Sequence, residues 1–278
     1  MKKILLYILL TISVLPFYGQ NTLTILHTND THSRIEPFDD HGTVIGGSLR
    51  RLEYIRQVRA EQHDVLLLDA GDFWQGTPYF NLFGGKVEIE MMNQMGYDAA
   101  TLGNHEFDNG LNGLAERLTA AKFPIVCTNY DFHHPGLDTL VKPYLILKKA
   151  GQKIGIFGLV TNLAGLLSDP SILDTIRYHD AVTCAKQAVD YLRNTEHCDL
   201  VICLSHLGYS PENHSDPMCD KIVAEKVNGI DLIIGGHSHT MLKEPVIINK
   251  TPIVQVGYKG GRIGRIDLEL ETENRKGE

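Results

Sequence analysis

The chain has 278 residues, room for one large domain or two small ones, and its 43% hydrophobic and 22% charged content is that of an ordinary folded core. Its formal charge is −8 and no basic stripe runs along it, which excludes stable nucleic-acid binding. Five cysteines (Cys127, Cys184, Cys198, Cys203 and Cys219) lack C-x-x-C spacing, which excludes a zinc knuckle and a thioredoxin-like site.

The chain opens with Met1-Lys2-Lys3, then an uncharged apolar run from Ile4 to Val14, then Pro16 and Gly19. The run is shorter than the ~20 residues needed to span a bilayer. Residues 1–19 therefore read as a signal peptide cleaved near Gly19 or Gln20, the alternative being an uncleaved anchor. No cysteine follows the run, so lipid anchoring is not expected. The expectation is a periplasmic or secreted protein, free of the membrane after cleavage. Loss of Lys2 and Lys3 would take its formal charge to −10.

From Thr22 the pattern alternates short apolar strands with amphipathic helices. Leu23–Leu26 predicts a strand. Gly46-Gly47 opens a helix to about Gln62, with Leu49, Leu52, Ile55 and Val58 at helical spacing. Asp64–Leu68 is apolar without alternation after its first residue, which predicts a strand covered on both faces. A helix follows over Lys86–Met95, then a strand over Ala99–Leu102. A further helix carries Leu111, Leu114, Ala115 and Leu118, and Pro124 stops it before the strand Ile125–Cys127. Tyr144–Leu147 and Lys153–Val160 predict two strands joined at Ala150-Gly151. Residues 161–179 read as irregular. Asp180 caps a helix whose inner face is Val182, Ala185, Ala188, Val189 and Leu192. Strands follow at Leu200–Leu204, Asp231–Ile234, Ile253–Val256 and Ile263–Leu270, with a helix over Asp220–Val227; the polar tail, 271–278, reads as frayed. There is no linker or repeat, so residues 20–278 are expected to form one α/β domain.

Five of these strands end in polar clusters: Asp30 with His32, Asp72, Asn104 with His105, His206, and His237 with His239. Ligands of open α/β sheets sit beyond the carboxyl ends of strands. In extended backbone, residues two apart point the same way, so each paired cluster is expected to aim both donors into one pocket. Singly, each residue reads as a turn former, a cap or a core histidine. Before His105 is counted, they offer four imidazoles, two carboxylates and an amide, too many for one zinc ion and suited to two metals sharing a carboxylate. The mixed N/O set fits Zn²⁺ or Mn²⁺ best, with Fe, Co or Mg admitted, and disfavours Ca²⁺. His27 is a candidate support for the ligands, while His133, His134 and His214 read as structural or surface residues. Trp74, Tyr79 and Tyr209 are candidates to line a pocket.

Asp30-x-His32, Gly71-Asp72, Gly103-Asn104-His105-Glu106, His206 and Gly236-His237-x-His239 resemble the full signature of the calcineurin-like metallophosphoesterases. The flanks over residues 25–32, 71–77 and 103–108 resemble the 5′-nucleotidase branch, which includes UDP-sugar hydrolases and 2′,3′-cyclic phosphodiesterases. The resemblance implies a four-layer α/β/β/α sandwich with two mixed β-sheets. It implies two divalent ions, one held by Asp30, His32 and His239, the other by Asn104, His206 and His237, with Asp72 bridging both. His105 would face the substrate with Asp108 orienting its ring, and a metal-activated hydroxide would attack phosphorus. Glu106 has no implied role in the chemistry beyond hydrogen-bond support.

The implied function is hydrolysis of nucleotide phosphoesters. The alternatives are a broad phosphomonoesterase or phosphodiesterase, of the 2′,3′-cyclic nucleotide or UDP-sugar type, and a non-catalytic metal-binding subunit. The branch usually carries a C-terminal domain that grips the nucleoside, and this chain ends where that domain would begin. A separately encoded C-terminal nucleotidase domain is therefore an expected partner, alongside the small-molecule phosphoester substrate.

Overall fold

Apolar strands that do not alternate must be covered on both faces, and two six-stranded sheets stacked on one another provide that cover. The computed structural model describes residues 21–167, 169–211 and 217–270. The expected leader, His214 and the polar tail lie outside the described residues. In chain order the first half contains β1 (Asn21–Thr28), β2 (Phe38–Asp40), β3 (Thr43–Ile45), α1 (Ser48–Glu61), β4 (Asp64–Asp69), α2 (Pro78–Phe83), α3 (Lys86–Met95), β5 (Ala99–Thr101), α4 (Gly110–Leu118), β6 (Ile125–Val126), β7 (Tyr130–Phe132), α5 (Leu137–Leu140) and β8 (Val141–Lys142). The second half contains β9 (Tyr144–Lys149), β10 (Gln152–Val160), β11 (Ile176–Tyr178), α6 (Ala181–Asp190), β12 (Leu200–His206), α7 (Asp220–Lys226), β13 (Leu232–Gly235), β14 (Val246–Ile248), β15 (Thr251–Val254) and β16 (Gly264–Leu270).

The first sheet has the order β16-β1-β4-β5-β6-β8 and the second β14-β15-β13-β12-β10-β9. Both are mixed. Their centres are parallel, as in β1–β4–β5 and β10–β12–β13–β15. Antiparallel partners, β16 on one and β9 and β14 on the other, close the edges. Successive side chains of a strand point to opposite faces, and that rule sorts the core into layers. Leu66 and Leu68 of β4 face the gap between the sheets, where they join Ile25, Ile156, Ile202, Leu204 and Ile234. Val65 and Leu67 face the other way, onto a helical layer with Ile55, Val58, Ile89 and Leu114. Val201, Cys203 and Ile233 do the same against α6 and α7. The architecture is the expected α/β/β/α sandwich, and it leaves the carboxyl ends of the parallel strands on a common rim.

Several local expectations need correction. Leu49, expected on the inner face of α1, is 74% exposed; Arg51 is buried on that helix instead, bonded to the carbonyls of Gly260 and Arg34. Helix α2 is not among the predicted elements. Thr77 caps it by accepting from the Tyr79 amide, Pro78 starts it, and left-handed Gly84 ends it after six residues. The irregular stretch 161–179 holds a short 3₁₀ turn and β11, which pairs with β7. All five cysteines are buried and free.

Candidate metal centre

The rim gathers side chains from both sheets. Asp30 and His32 follow β1, Asp72 follows β4, Asn104 and His105 follow β5, His206 ends β12, and His237 and His239 follow β13. The ligating atoms of Asp30, His32 and His239 lie within 4.8 Å of one another, as do those of Asp72, His206 and His237. His32, Asp72 and His105 form a third such group, so His105 stands beside the donors. Asp72 lies between the first two: its Oδ2 is 3.1 Å from His206 Nε2 and 3.9 Å from His32 Nε2. His32 and His239 bring their Nε2 atoms to 2.9 Å.

The paired donors are not in the extended backbone that their spacing predicts. Asp30, His32, Asp72, His237 and His239 all have φ between 46° and 71°, the left-handed region that side chains with a Cβ rarely adopt. One consequence is that His237 and His239 part company, the first toward Asp72 and His206, the second toward Asp30 and His32. Strain concentrated on donor residues is held in place by the surrounding bonds. Asp30 accepts from the Asn29 amide at 2.6 Å and from the His237 N–H at 3.0 Å. The His105 N–H donates to Asp72 Oδ1 at 2.9 Å. Two glycines make the close approach of the sheets possible. A Cβ on Gly103 would overlap Asp72 and His206, and one on Gly236 would sit 2.7 Å from His206 Nδ1.

The electrostatics are those of carboxylates crowded by imidazoles. Burial would raise the Asp72 pKa, but His206, then His32 and His105, hold it well below the usual carboxylate range. Burial works against a proton on His206, yet Asp72, with Asp30 and the Ala70 carbonyl, raises its pKa to about 10. For His105, burial again opposes the charge; the hydrogen bond to Asp108 at 2.8 Å and the charges of Asp72 and Asp108 raise its pKa to about 9. Protons on such imidazoles are what a divalent cation displaces. Two buried atoms, Asn104 Oδ1 and His206 Nε2, have no partner in hydrogen-bonding geometry. Orphans of this kind call for an explanation, and a cation that accepts their lone pairs provides one. Nδ1 of His206 donates to the Ala70 carbonyl at 2.7 Å, which fixes Nε2 as the free lone pair. The residues present fit divalent metal ions.

The family model of calcineurin-like phosphoesterases matches residues 23–241. This chain belongs to that family. The phosphoesterase chain is 36% identical to the 5′-nucleotidase of Rattus norvegicus, over 90% of its own length and 47% of the relative's. Its fold is similar to the solved 5′-nucleotidase precursor of Thermus thermophilus, with a TM-score of 0.81 and 34% identity, covering 90% of this chain and 52% of that one. The calcineurin-like phosphoesterase YfkN of Bacillus subtilis gives 0.74 and 28%, covering 92% of this chain and 87% of the solved one. The phosphoesterase chain thus spans about half the length of the first curated relatives it matches. The matched stretch is the calcineurin-like phosphoesterase domain.

Other residues take places that the sequence left open. Glu106 is fully buried, and its carboxylate accepts from the N–H groups of Gly103 at 2.6 Å, Asp72 at 2.9 Å and Trp74 at 3.1 Å. It ties the Asp72 loop to the Asn104 loop. Burial first, then the charge of Asp72, push its pKa up to about 8, against the pull of those donors. Trp74, expected to line a pocket, is fully buried against Phe73 and Phe80. Tyr79 sits in α2 and donates to Glu36 at 2.9 Å. Tyr209 keeps a loop position, with Lys221 Nζ 4.5 Å from its ring centre. His27 is buried beside Gly264 and touches no donor of the rim among the described contacts; it is a core histidine. Tyr258 was not singled out, although the glycine-rich loop Gly257–Gly261 follows β15 in the same way that the other clusters follow their strands.

Proposed function

We propose that this chain is an exported phosphohydrolase with two divalent ions that cleaves nucleotide phosphoesters. The reading takes residues 1–19 as a cleaved leader, 20–278 as the phosphoesterase domain, and the periplasm or exterior as its location. The observation that carries it is the convergence of four imidazoles, two carboxylates and the orphaned Asn104 Oδ1 on one rim, beside the His105–Asp108 pair. Asp30, His32 and His239 would hold one ion, Asn104, His206 and His237 the other, and Asp72 would serve both. Zn or Mn suits the mixed nitrogen and oxygen donors best, and Fe, Co or Mg is admitted. Bound ions supply positive charge against the phosphate and an acidified water.

The protein's own residues do the rest. Asp108 occupies His105 Nδ1, which leaves Nε2 as the atom available to substrate. Oriented by Asp108, His105 is placed to stabilise charge on the phosphate and to give a proton to the departing oxygen. Glu106 keeps the Asp72 and Asn104 loops in register throughout.

The substrate reading draws on the names of relatives, which include 5′-nucleotidases and a trifunctional nucleotide phosphoesterase of Bacillus subtilis. That second name supports a broader esterase as the alternative. The match covers 47% of the relative's length, and the partner proposed to select the nucleoside is a C-terminal nucleotidase domain. The test is hydrolysis of AMP, 2′,3′-cyclic AMP, UDP-glucose and p-nitrophenyl phosphates by the metal-loaded chain, with and without such a domain. Preference for AMP that rises with the added domain is the expected result. Equal rates across the panel would favour the broad esterase, and no turnover of any substrate would overturn hydrolysis and promote the metal-binding subunit.

A further inference from the structure

The two histidines best defined as donors are held in opposite ways. His206 is fully buried and its Nδ1 is bonded to the Ala70 carbonyl. His239 has a side chain 41% exposed, and among the described residues no hydrogen bond fixes its Nδ1. A metal-binding imidazole normally has a partner on its second nitrogen to set the ring orientation. In place of one, His239 lies face to face with Tyr258, ring centres 4.8 Å apart and planes 6° from parallel.

The loop carrying Tyr258 is fastened to the residues that flank the donors. Gly257 N donates to the Thr240 carbonyl at 3.0 Å, and the Asn29 amide donates to the Gly257 carbonyl at 2.7 Å. Lys259 N donates to the Asp30 carbonyl at 2.6 Å. Thr240, Asn29 and Asp30 are the neighbours of His239 and Asp30, or Asp30 itself. Tyr258 is 44% exposed, so burial does not account for its placement. Its ring also meets Lys259 Nζ at 4.7 Å, a sign that the electron-rich face draws positive charge. An imidazole that donates its lone pair to a divalent ion becomes electron-poor, and stacking on a phenol ring then strengthens.

We propose that Tyr258 is a positioning residue for His239, and that the ion held by Asp30, His32 and His239 depends on this stack while the ion held by Asn104, His206 and His237 does not. The inference rests on the two-ion reading above. The two positions are unequal: one is locked by a buried hydrogen bond, the other by an aromatic plate at the surface.

The experiment is calorimetric titration of the metal-free chain with Zn²⁺ or Mn²⁺, paired with metal content after dialysis. The wild-type chain binds two ions. Tyr258→Ala weakens one binding step by about 10- to 100-fold, the range seen when an imidazole's support is removed, and leaves the other unchanged. Tyr258→Phe keeps the ring and restores the wild-type pair of affinities. Equal weakening of both steps in Tyr258→Ala would mean that the loop has merely collapsed, and it overturns the proposal. So does a Tyr258→Ala chain that binds both ions as tightly as wild type, or a Tyr258→Phe chain that fails to restore them. A wild-type chain that binds no ion overturns the metal reading itself, and this inference with it.

Discussion

Each half places a buried carboxylate behind its donors, Glu106 in the first and Asp220 in the second, and the two are built differently. In the first half Glu106 accepts three backbone N–H groups and joins two donor loops. In the second half Asp220, at the start of α7, accepts the Ser205 hydroxyl on one oxygen and leaves Oδ2 without a partner. Burial pushes both up to about 8. The same penalty thus has different returns. Glu106 organises the backbone that presents Asp72, Asn104 and His105. Asp220 fills space against Gly235 and steadies one hydroxyl next to His206. The first carboxylate organises backbone on the donor side, and the second serves a single hydroxyl and packing.

The comparison can be broken at the chemistry first. His105→Asn is expected to lower kcat by about 100-fold or more, the usual worth of a general acid, while metal content stays near two ions. Loss of an ion in that variant would make His105 a ligand, consistent with its place among His32 and Asp72. Next in size, Glu106→Ala strands three buried N–H donors and is expected to cost about 3 kcal/mol or more. Urea denaturation reads this, and a loss below about 1 kcal/mol would erase the contrast with Asp220.

Acid separates the halves more finely. Burial lowers the pKa of His27, in the first half, to about 4. The unfolded chain therefore takes up a proton near pH 6.5 that the fold refuses. Stability from this residue is complete above pH 6.5 and lost as pH falls toward 4, by about 3 kcal/mol at most. His27→Gln should flatten that part of the pH–Tm curve. Asp220 has the opposite sign, because its raised pKa favours the fold below the unfolded value of 3.8 and the benefit fades as pH rises toward 8. The smallest effect is expected from Asp220→Asn, within about 1 kcal/mol near pH 6. Its stability relative to wild type should improve as pH rises to 8. A loss as large as that of Glu106→Ala would show that Asp220 also organises its rim.

The α/β character was legible because the strands carry unbroken apolar runs and end in polar clusters, while the two-sheet sandwich was implied only by the resemblance those clusters carry. Asp64–Leu68 and Leu200–Leu204 announce a strand buried on both faces, and the layers confirm it. The hairpin β2–β3, α2 and the β7–β11 pair are short and carry no unbroken apolar run ending in a polar cluster, the mark that made β4, β5 and β13 readable. At the rim, residue types and strand ends were readable, but backbone conformation was not. Asp30 and His32 looked like neighbours on an extended strand and are left-handed residues of a turn. Glu106 was expected only to support the site by hydrogen bonds, and nothing in the sequence says that three amides from two loops will meet it. Tyr258 was missed because an aromatic in a glycine loop has no motif of its own.

The first and last described strands are paired antiparallel from Asn21↔Leu270 to His27↔Gly264. The His27 end lies at the rim, so Asn21 and Leu270 share the far edge of the sheet, roughly 20 Å away at ~3.3 Å per residue. Anything joined directly to Asn21 or Leu270 leaves from the same corner, remote from the donors. A reporter or affinity handle there would leave the rim clear. A nucleoside-gripping module fused after Leu270 would need a spacer that travels the full height of the sheet before it could meet a substrate.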